Sequence, residues 1–150
     1  MAKKDTNGPY RTFMFAPGNH ARKVEKVFDV GADAVILDLE DAVATNEKIA
    51  TRNLVVAALK APRKPLGYVR VNAYDTEFCY GDAAAVVGPW LDGIVLPMVE
   101  SANQLRSFDW LLGNMERERG LSEGAIDLIP IIETGKGIAA LSEIASCGSR

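Results

Sequence analysis

Short runs of consecutive apolar residues, rich in β-branched side chains, recur along the chain and alternate with longer stretches whose apolar positions fall three and four apart. The first pattern suits parallel strands buried on both faces, and the second suits amphipathic helices. Strands are predicted at residues 12–16, 34–39, 67–72, 93–97 and 128–133, and helices at 20–30, 46–59, 82–90, 102–119 and 137–145. Strand and helix alternate strictly, which predicts an α/β fold with a single parallel sheet. Connections are short, as at Gly31-Ala32-Asp33, and the proline-containing segment 61–66 reads as an ordinary loop rather than a domain boundary.

Length leaves two architectures open. A closed (β/α)8 barrel typically needs about 250 residues, and this chain has 150. Five βα units cannot close a barrel, and an open doubly wound sheet fits the length equally well.

Composition narrows the function. Hydrophobic residues make up 48%, charged residues 25%, and the formal net charge is -3, as in an ordinary cytoplasmic globular enzyme. Basic residues are scattered, without interleaved aromatics, so no nucleic-acid partner is expected. The polar start of the chain leads into no apolar secretory segment, and no apolar run approaches the roughly 18 residues of a membrane span. Cys79 and Cys147 lack the spacing of a zinc knuckle or redox pair, and a histidine-based zinc site or triad would rest on His20 alone.

Candidate chemistry sits at the carboxyl ends of the predicted strands, where α/β barrels assemble their sites. The segment Gly31-Ala32-Asp33-Ala34-Val35-Ile36-Leu37-Asp38-Leu39-Glu40-Asp41-Ala42-Val43 delivers three carboxylates in four positions. They either serve a site or cap the following helix and bind loop amides. In Tyr68-Val69-Arg70-Val71-Asn72, alternation puts Arg70 and Asn72 on one face. Arg70 could hold a substrate carboxylate or carbonyl by two parallel hydrogen bonds, or form an ion pair with one of the acids at 38–41. Gly93-Ile94-Val95-Leu96-Pro97-Met98-Val99-Glu100-Ser101 ends in Glu100, either catalytic or a helix-start residue beside a capping serine. Leu128-Ile129-Pro130-Ile131-Ile132-Glu133-Thr134 delivers a single glutamate. A lone buried carboxylate would demand a cation, for which magnesium suits a hard oxygen donor; the alternative is a salt bridge to Arg70 or a lysine.

Together with the opening Arg11-Thr12-Phe13-Met14-Phe15-Ala16-Pro17-Gly18, these motifs follow, in order and spacing, a family pattern that runs through R-[ST]-x-x-F-x-P-G, G-A-D-x-V-I-L-D-L-E-D-A-V, V-R-x-N, G-I-V-L-P and I-E-T. The chain resembles the citrate lyase beta-subunit-like branch of the HpcH/HpaI aldolase family over nearly its full length. The resemblance implies a TIM (β/α)8 barrel, with residues 1–150 as the amino-terminal part of one barrel domain, stopping before strand six. It implies a magnesium-dependent carbon-carbon lyase that cleaves a malyl-, citramalyl- or citryl-type 3-hydroxyacyl-CoA thioester to an acyl-CoA and a keto acid. A pyruvate-type aldolase on free hydroxy keto acids, or a non-catalytic subunit that keeps the acidic site, are the alternatives.

By the same resemblance Glu133 is one of two carboxylate ligands of Mg2+ and faces the substrate, Arg70 binds the substrate, and Glu40 and Asp41 hydrogen-bond the metal's waters. Arg11 and Lys26 are implied as coenzyme A contacts, and a homo-oligomer is implied. Two departures stand out. Met98 occupies the place of the family's usual lysine, and the second metal-ligating aspartate is expected beyond Arg150, so the 150 residues alone should be inactive. Replacing Arg70 by alanine is expected to abolish turnover while the fold persists. The reading requires Glu133, Arg70 and the acids at 38–41 to converge.

Overall fold

The computed structural model describes residues 10–148. Five strands, β1 (Phe13–Pro17), β2 (Ala34–Asp38), β3 (Leu66–Arg70), β4 (Gly93–Leu96) and β5 (Asp127–Pro130), form one sheet. Every neighbouring pair is parallel and the order is β1-β2-β3-β4-β5. This order decides between the two architectures. A doubly wound sheet reverses direction at a switch point, whereas right-handed crossovers between strands laid down in sequence put all helices on one face, as in a barrel wall.

The helices are α1 (Ala21–Val27), α2 (Lys48–Lys60, preceded by a 3₁₀ turn at Thr45–Glu47), α3 (Cys79–Val86), α4 (Ala102–Glu118), α5 (Gly135–Ala139) and α6 (Leu141–Ala145). Val35, Leu37, Val69, Ile94 and Leu96 lie in the larger core, packed with Val55, Leu59, Val86, Phe108 and Leu112 of the helices. The alternate positions Ala34, Ile36, Leu66, Tyr68 and Val95 form a second, smaller core on the other face. Buried on both faces, β2 and β3 read in the sequence as continuous apolar runs rather than alternating ones.

Register aligns the second face in layers. Phe13 pairs with Ala34 and Ala34 with Leu66; Phe15 pairs with Ile36, Ile36 with Tyr68 and Tyr68 with Gly93. The Tyr68 ring lies so close over Gly93 that any Cβ there would meet it, and its hydroxyl donates to Asp127 Oδ2 at 2.7 Å. The topmost layer runs from Asp38 to Arg70 to Val95 to Ile129. At this level the second face stops being apolar on its β2 and β3 side, at Asp38 and Arg70.

Several element ends differ from the sequence-based expectation, each for a local reason. The α1 helix stops at Val27 rather than residue 30, short of the turn at Gly31, whose φ of 82° is left-handed. The α3 helix runs from Cys79 to Val86 rather than from 82 to 90, because Pro89 disfavours helical backbone at Gly88 and cannot donate to the helix. The single helix expected over 137–145 is two five-residue helices parted at Ala140. Among the described residues no helix is long and apolar enough to cross a membrane.

Candidate active site at the carboxyl ends of the strands

Arg70 leaves β3 from the inward face beside Asp38 of β2, its register partner. Nε donates to Asp38 Oδ1 and Nη2 to Asp38 Oδ2, both at 2.7 Å, so one edge of the guanidinium fork is engaged. Asp38 also accepts the backbone N–H groups of Glu40 and Ala42. Burial pushes its carboxyl up, but the Arg70 fork and the two amides outweigh burial and hold it below the usual carboxylate range. The ion-pair alternative for Arg70 is therefore realised, with Asp38, and the loop-amide alternative is realised for Asp38 as well. The guanidinium carbon lies 5.2 Å from the centroid of the Phe15 ring, a cation–π contact that supports its other face.

What remains of Arg70 faces the mouth of the sheet. Nη1 is 3.4 Å from Glu40 Oε2. Burial raises the Glu40 pKa; Arg70 opposes the shift, while Asp38, Asp41 and Glu133 add to it. The hydrogen bond to Asp38 is the chief reason that Arg70 is held more firmly charged, and Glu40 and Glu133 contribute to the same effect. Glu133 thus acts electrostatically on both Glu40 and Arg70, while Asp38 and Glu40 contact the guanidinium directly.

Glu133 itself differs from expectation. It is exposed, so the argument that a buried lone carboxylate needs a cation does not apply to it as the structure stands. The cause is its position just after β5, which ends the sheet order and is only half-buried along its length. Its Oε1 accepts the Met98 N–H at 3.0 Å. Asp41 is exposed on the loop after β2.

Other sequence candidates lie elsewhere. Asn72 does not share the mouth with Arg70. It is buried, and its Nδ2 bridges the Leu39 carbonyl and Asp82 Oδ2, because β3 has already ended. Glu100 precedes the capping Ser101 of α4 and pairs with Lys136 at 3.0 Å, a bond that chiefly holds its carboxyl below the ordinary range. Arg11 and Lys26, implied by the resemblance as coenzyme A contacts, lie away from the mouth. The backbone N–H of Arg11 donates to Asp33 Oδ2 just ahead of β2, at the opposite end of the strands. Lys26 is exposed in the last turn of α1, which runs back toward that end.

The geometry also depends on residues that motif reading passed over. Lys48, buried at the start of α2, donates to the carbonyls of Leu39 at 3.1 Å and Glu40 at 2.6 Å. Asp82 accepts from Arg52 Nε and from the Asn72 backbone N–H, tying α2 and α3 to the end of β3. Gly18 donates to the Asp38 carbonyl at 2.9 Å, and an added Cβ would lie 2.7 Å from that oxygen, so the Pro-Gly turn can be no bulkier. The parity of Asp38 and Arg70 would have disclosed their pairing had the strand register been known. Nothing in the spacing marks Lys48.

Among the described residues no three acidic, histidine or cysteine side chains come together as a self-sufficient metal cage. The arginine and carboxylates lie at the carboxyl end of a parallel α/β wall of barrel type, the end at which that class of fold assembles its sites. The comparisons specify it further. Residues 11–149 match the model of the HpcH/HpaI aldolase/citrate lyase family, and the chain belongs to that family. It is 37% identical over 142 residues to citrate lyase subunit beta of Leuconostoc mesenteroides subsp. cremoris, covering 93% of this chain and 47% of that protein. It is 35% identical over 148 residues to an L-malyl-CoA/beta-methylmalyl-CoA lyase of Cereibacter sphaeroides, covering 95% and 46%. The crystal structure of the CitE protein of Mycobacterium tuberculosis with magnesium and acetoacetate superposes with a TM-score of 0.70 at 31% identity, covering 90% of this chain and 49% of that one. The chain spans about half the length of the curated relatives it matches.

Proposed function

We propose that this chain supplies the first five βα units of a single barrel domain of a magnesium-dependent carbon-carbon lyase, and that the enzyme cleaves a 3-hydroxyacyl-CoA thioester of the malyl, citramalyl or citryl kind. The observation that carries the reading is the Arg70 guanidinium held by Asp38 and faced by Glu40 at the strand ends where barrels place their chemistry, with Glu133 close enough to act electrostatically on both Arg70 and Glu40. A cytoplasmic homo-oligomer is part of the same reading and rests on the family alone.

The residues present suit magnesium. The donor set is all oxygen and includes an exposed carboxylate at Glu133, which suits a hard cation that keeps several waters and takes only one or two protein carboxylates. Burial is the main cause of the raised Glu40 pKa, and the repulsion that Asp41 and Glu133 add to it is what a divalent cation would relieve. Glu133 would bind the ion, and Glu40 and Asp41 would accept hydrogen bonds from its waters. Bound there, magnesium supplies Lewis acidity toward the substrate hydroxyl.

In the cleavage the hydroxyl gives up its proton and the carbon-carbon bond breaks. The bonding pair passes into the thioester, whose α-carbon is then protonated, and a keto acid is left. Arg70 would hold a substrate oxygen on the edge of its fork that Asp38 leaves open and stabilise the charge that builds there. Phe15 and Asp38 keep the guanidinium from swinging away, so little reorganisation accompanies the reaction.

The test is an assay of the longer protein with magnesium against a panel of CoA thioesters and the corresponding free acids. Keto-acid release from a thioester, lost with a chelator, is the expected result. Cleavage of free hydroxy keto acids with no thioester turned over would overturn it.

A further inference from the structure

The ladder between β4 and β5 continues past the strand ends with an irregularity. Ile131 N–H donates to the Leu96 carbonyl at 2.9 Å and Val99 N–H to the Ile131 carbonyl at 3.2 Å. Between those anchors stand Pro97, which has no N–H, and Met98, whose N–H is turned out of the ladder. Met98 has a φ of 54°, the single positive value at a non-glycine residue among the described residues. A methionine in left-handed backbone is uncommon and persists only where its surroundings impose it. Here the flanking Leu96 and Val99 are fully buried, and Ser101 caps α4 three residues on. The result is a bulge, a device that re-aims groups beside active sites, and the group re-aimed is the Met98 amide, which donates to Glu133 Oε1.

We infer that Met98 is a positioning residue: its left-handed backbone points an amide at Glu133 and fixes which carboxylate oxygen is presented to the cation. The inference rests on the reading of Glu133 as a magnesium ligand. The hydrogen bond ties the segment after β4 to the ligand just after β5, so the carboxylate is held before the ion arrives. The role belongs to the backbone and not to the thioether, which explains how methionine can stand where the family's usual lysine would. Groups that orient a metal ligand from behind commonly matter by about tenfold to a hundredfold in affinity.

The experiment is a calorimetric Mg2+ titration of the longer protein, with metal-free thermal melts to establish folding, for wild type and four variants. Met98→Gly keeps the N–H and adopts left-handed backbone freely, so its affinity should stay within about twofold of wild type. Met98→Pro removes the N–H and Met98→Val resists the left-handed region, so both should bind about tenfold more weakly or worse. Glu133→Ala should abolish binding. Should Met98→Pro fail to fold, Met98→Val decides. Wild-type affinity in a folded Met98→Pro or Met98→Val protein overturns the positioning role, as does a Met98→Gly protein as weak as Met98→Val. Unchanged affinity in Glu133→Ala overturns the ligand assignment instead, a separate outcome.

Discussion

Arg70 serves two roles at once, and this alters the mutation expected to report on it. Asp38 is almost wholly buried, and its Arg70 partner is 15% exposed. Removing one member of such a pair leaves an uncompensated charge, so Arg70→Ala should cost roughly 3 kcal/mol of folding stability as well as turnover. The fold is still expected to persist, at reduced stability. The double variant Asp38→Asn/Arg70→Ala should recover much of the stability in urea titrations without recovering activity, which separates the two roles. Arg70→Lys keeps a charge but not the planar fork, and turnover should fall about a hundredfold. The same pair sets an acid limit. Asp38's folded-state pKa lies below its unfolded value near 3.8, so its contribution is complete above that value and is lost as the pH falls through the folded one. Glu40, raised above 4.5, works in the opposite sense: it costs stability as the pH climbs from 4.5 through its folded value. Urea midpoints measured from pH 6 downward should therefore drop at the acid end, and Asp38→Asn should flatten that drop.

Elements were legible where their ends carry chemistry that is local. Ser101 at the start of α4 accepts the Gln104 N–H, as a capping serine should, and Ser101→Ala is expected to cost about 1 kcal/mol in chemical denaturation. All five strands lie within a few residues of their expected positions because apolar, β-branched runs are a strong signal for strands buried on both faces. Less was legible where the outcome depends on tertiary neighbours. The exposure of Glu133 follows from β5 having a partner on one side only, which no residue near 133 announces. Lys48 reaches back across the turn to the carbonyls of Leu39 and Glu40, a contact set by how α2 seats on β2. Lys48→Met should strip one donor from each of those carbonyls, leaving Asn72 Nδ2 on Leu39 and the Val43 N–H on Glu40, and loosen the Glu40 loop. Faster amide exchange at residues 40–43, with α4 unaffected, is the measurement that checks it.

At the scale of the molecule, one face of the sheet is covered by helices and the other is open at its margin, where Phe13 and Phe15 are 38% and 46% exposed. Among the described residues β1 and β5 each pair on one side only. Unpaired edges beside apolar surface favour association, so the 150 residues expressed alone should self-associate in light scattering. The barrel-type order could not be read from length, which suited an open sheet as well; family motifs pointed to it, and the sequential strand order bears it out. Because strands adjacent in the chain are also adjacent in space, a division made between any two βα units never requires one piece to thread between strands of the other. Segments exchanged among homologous enzymes at such a junction would meet along a single pair of seams. Arg70 and the acids at 40, 41 and 133 would travel intact on this portion, and a chimera could take its substrate preference from whatever completes the ring.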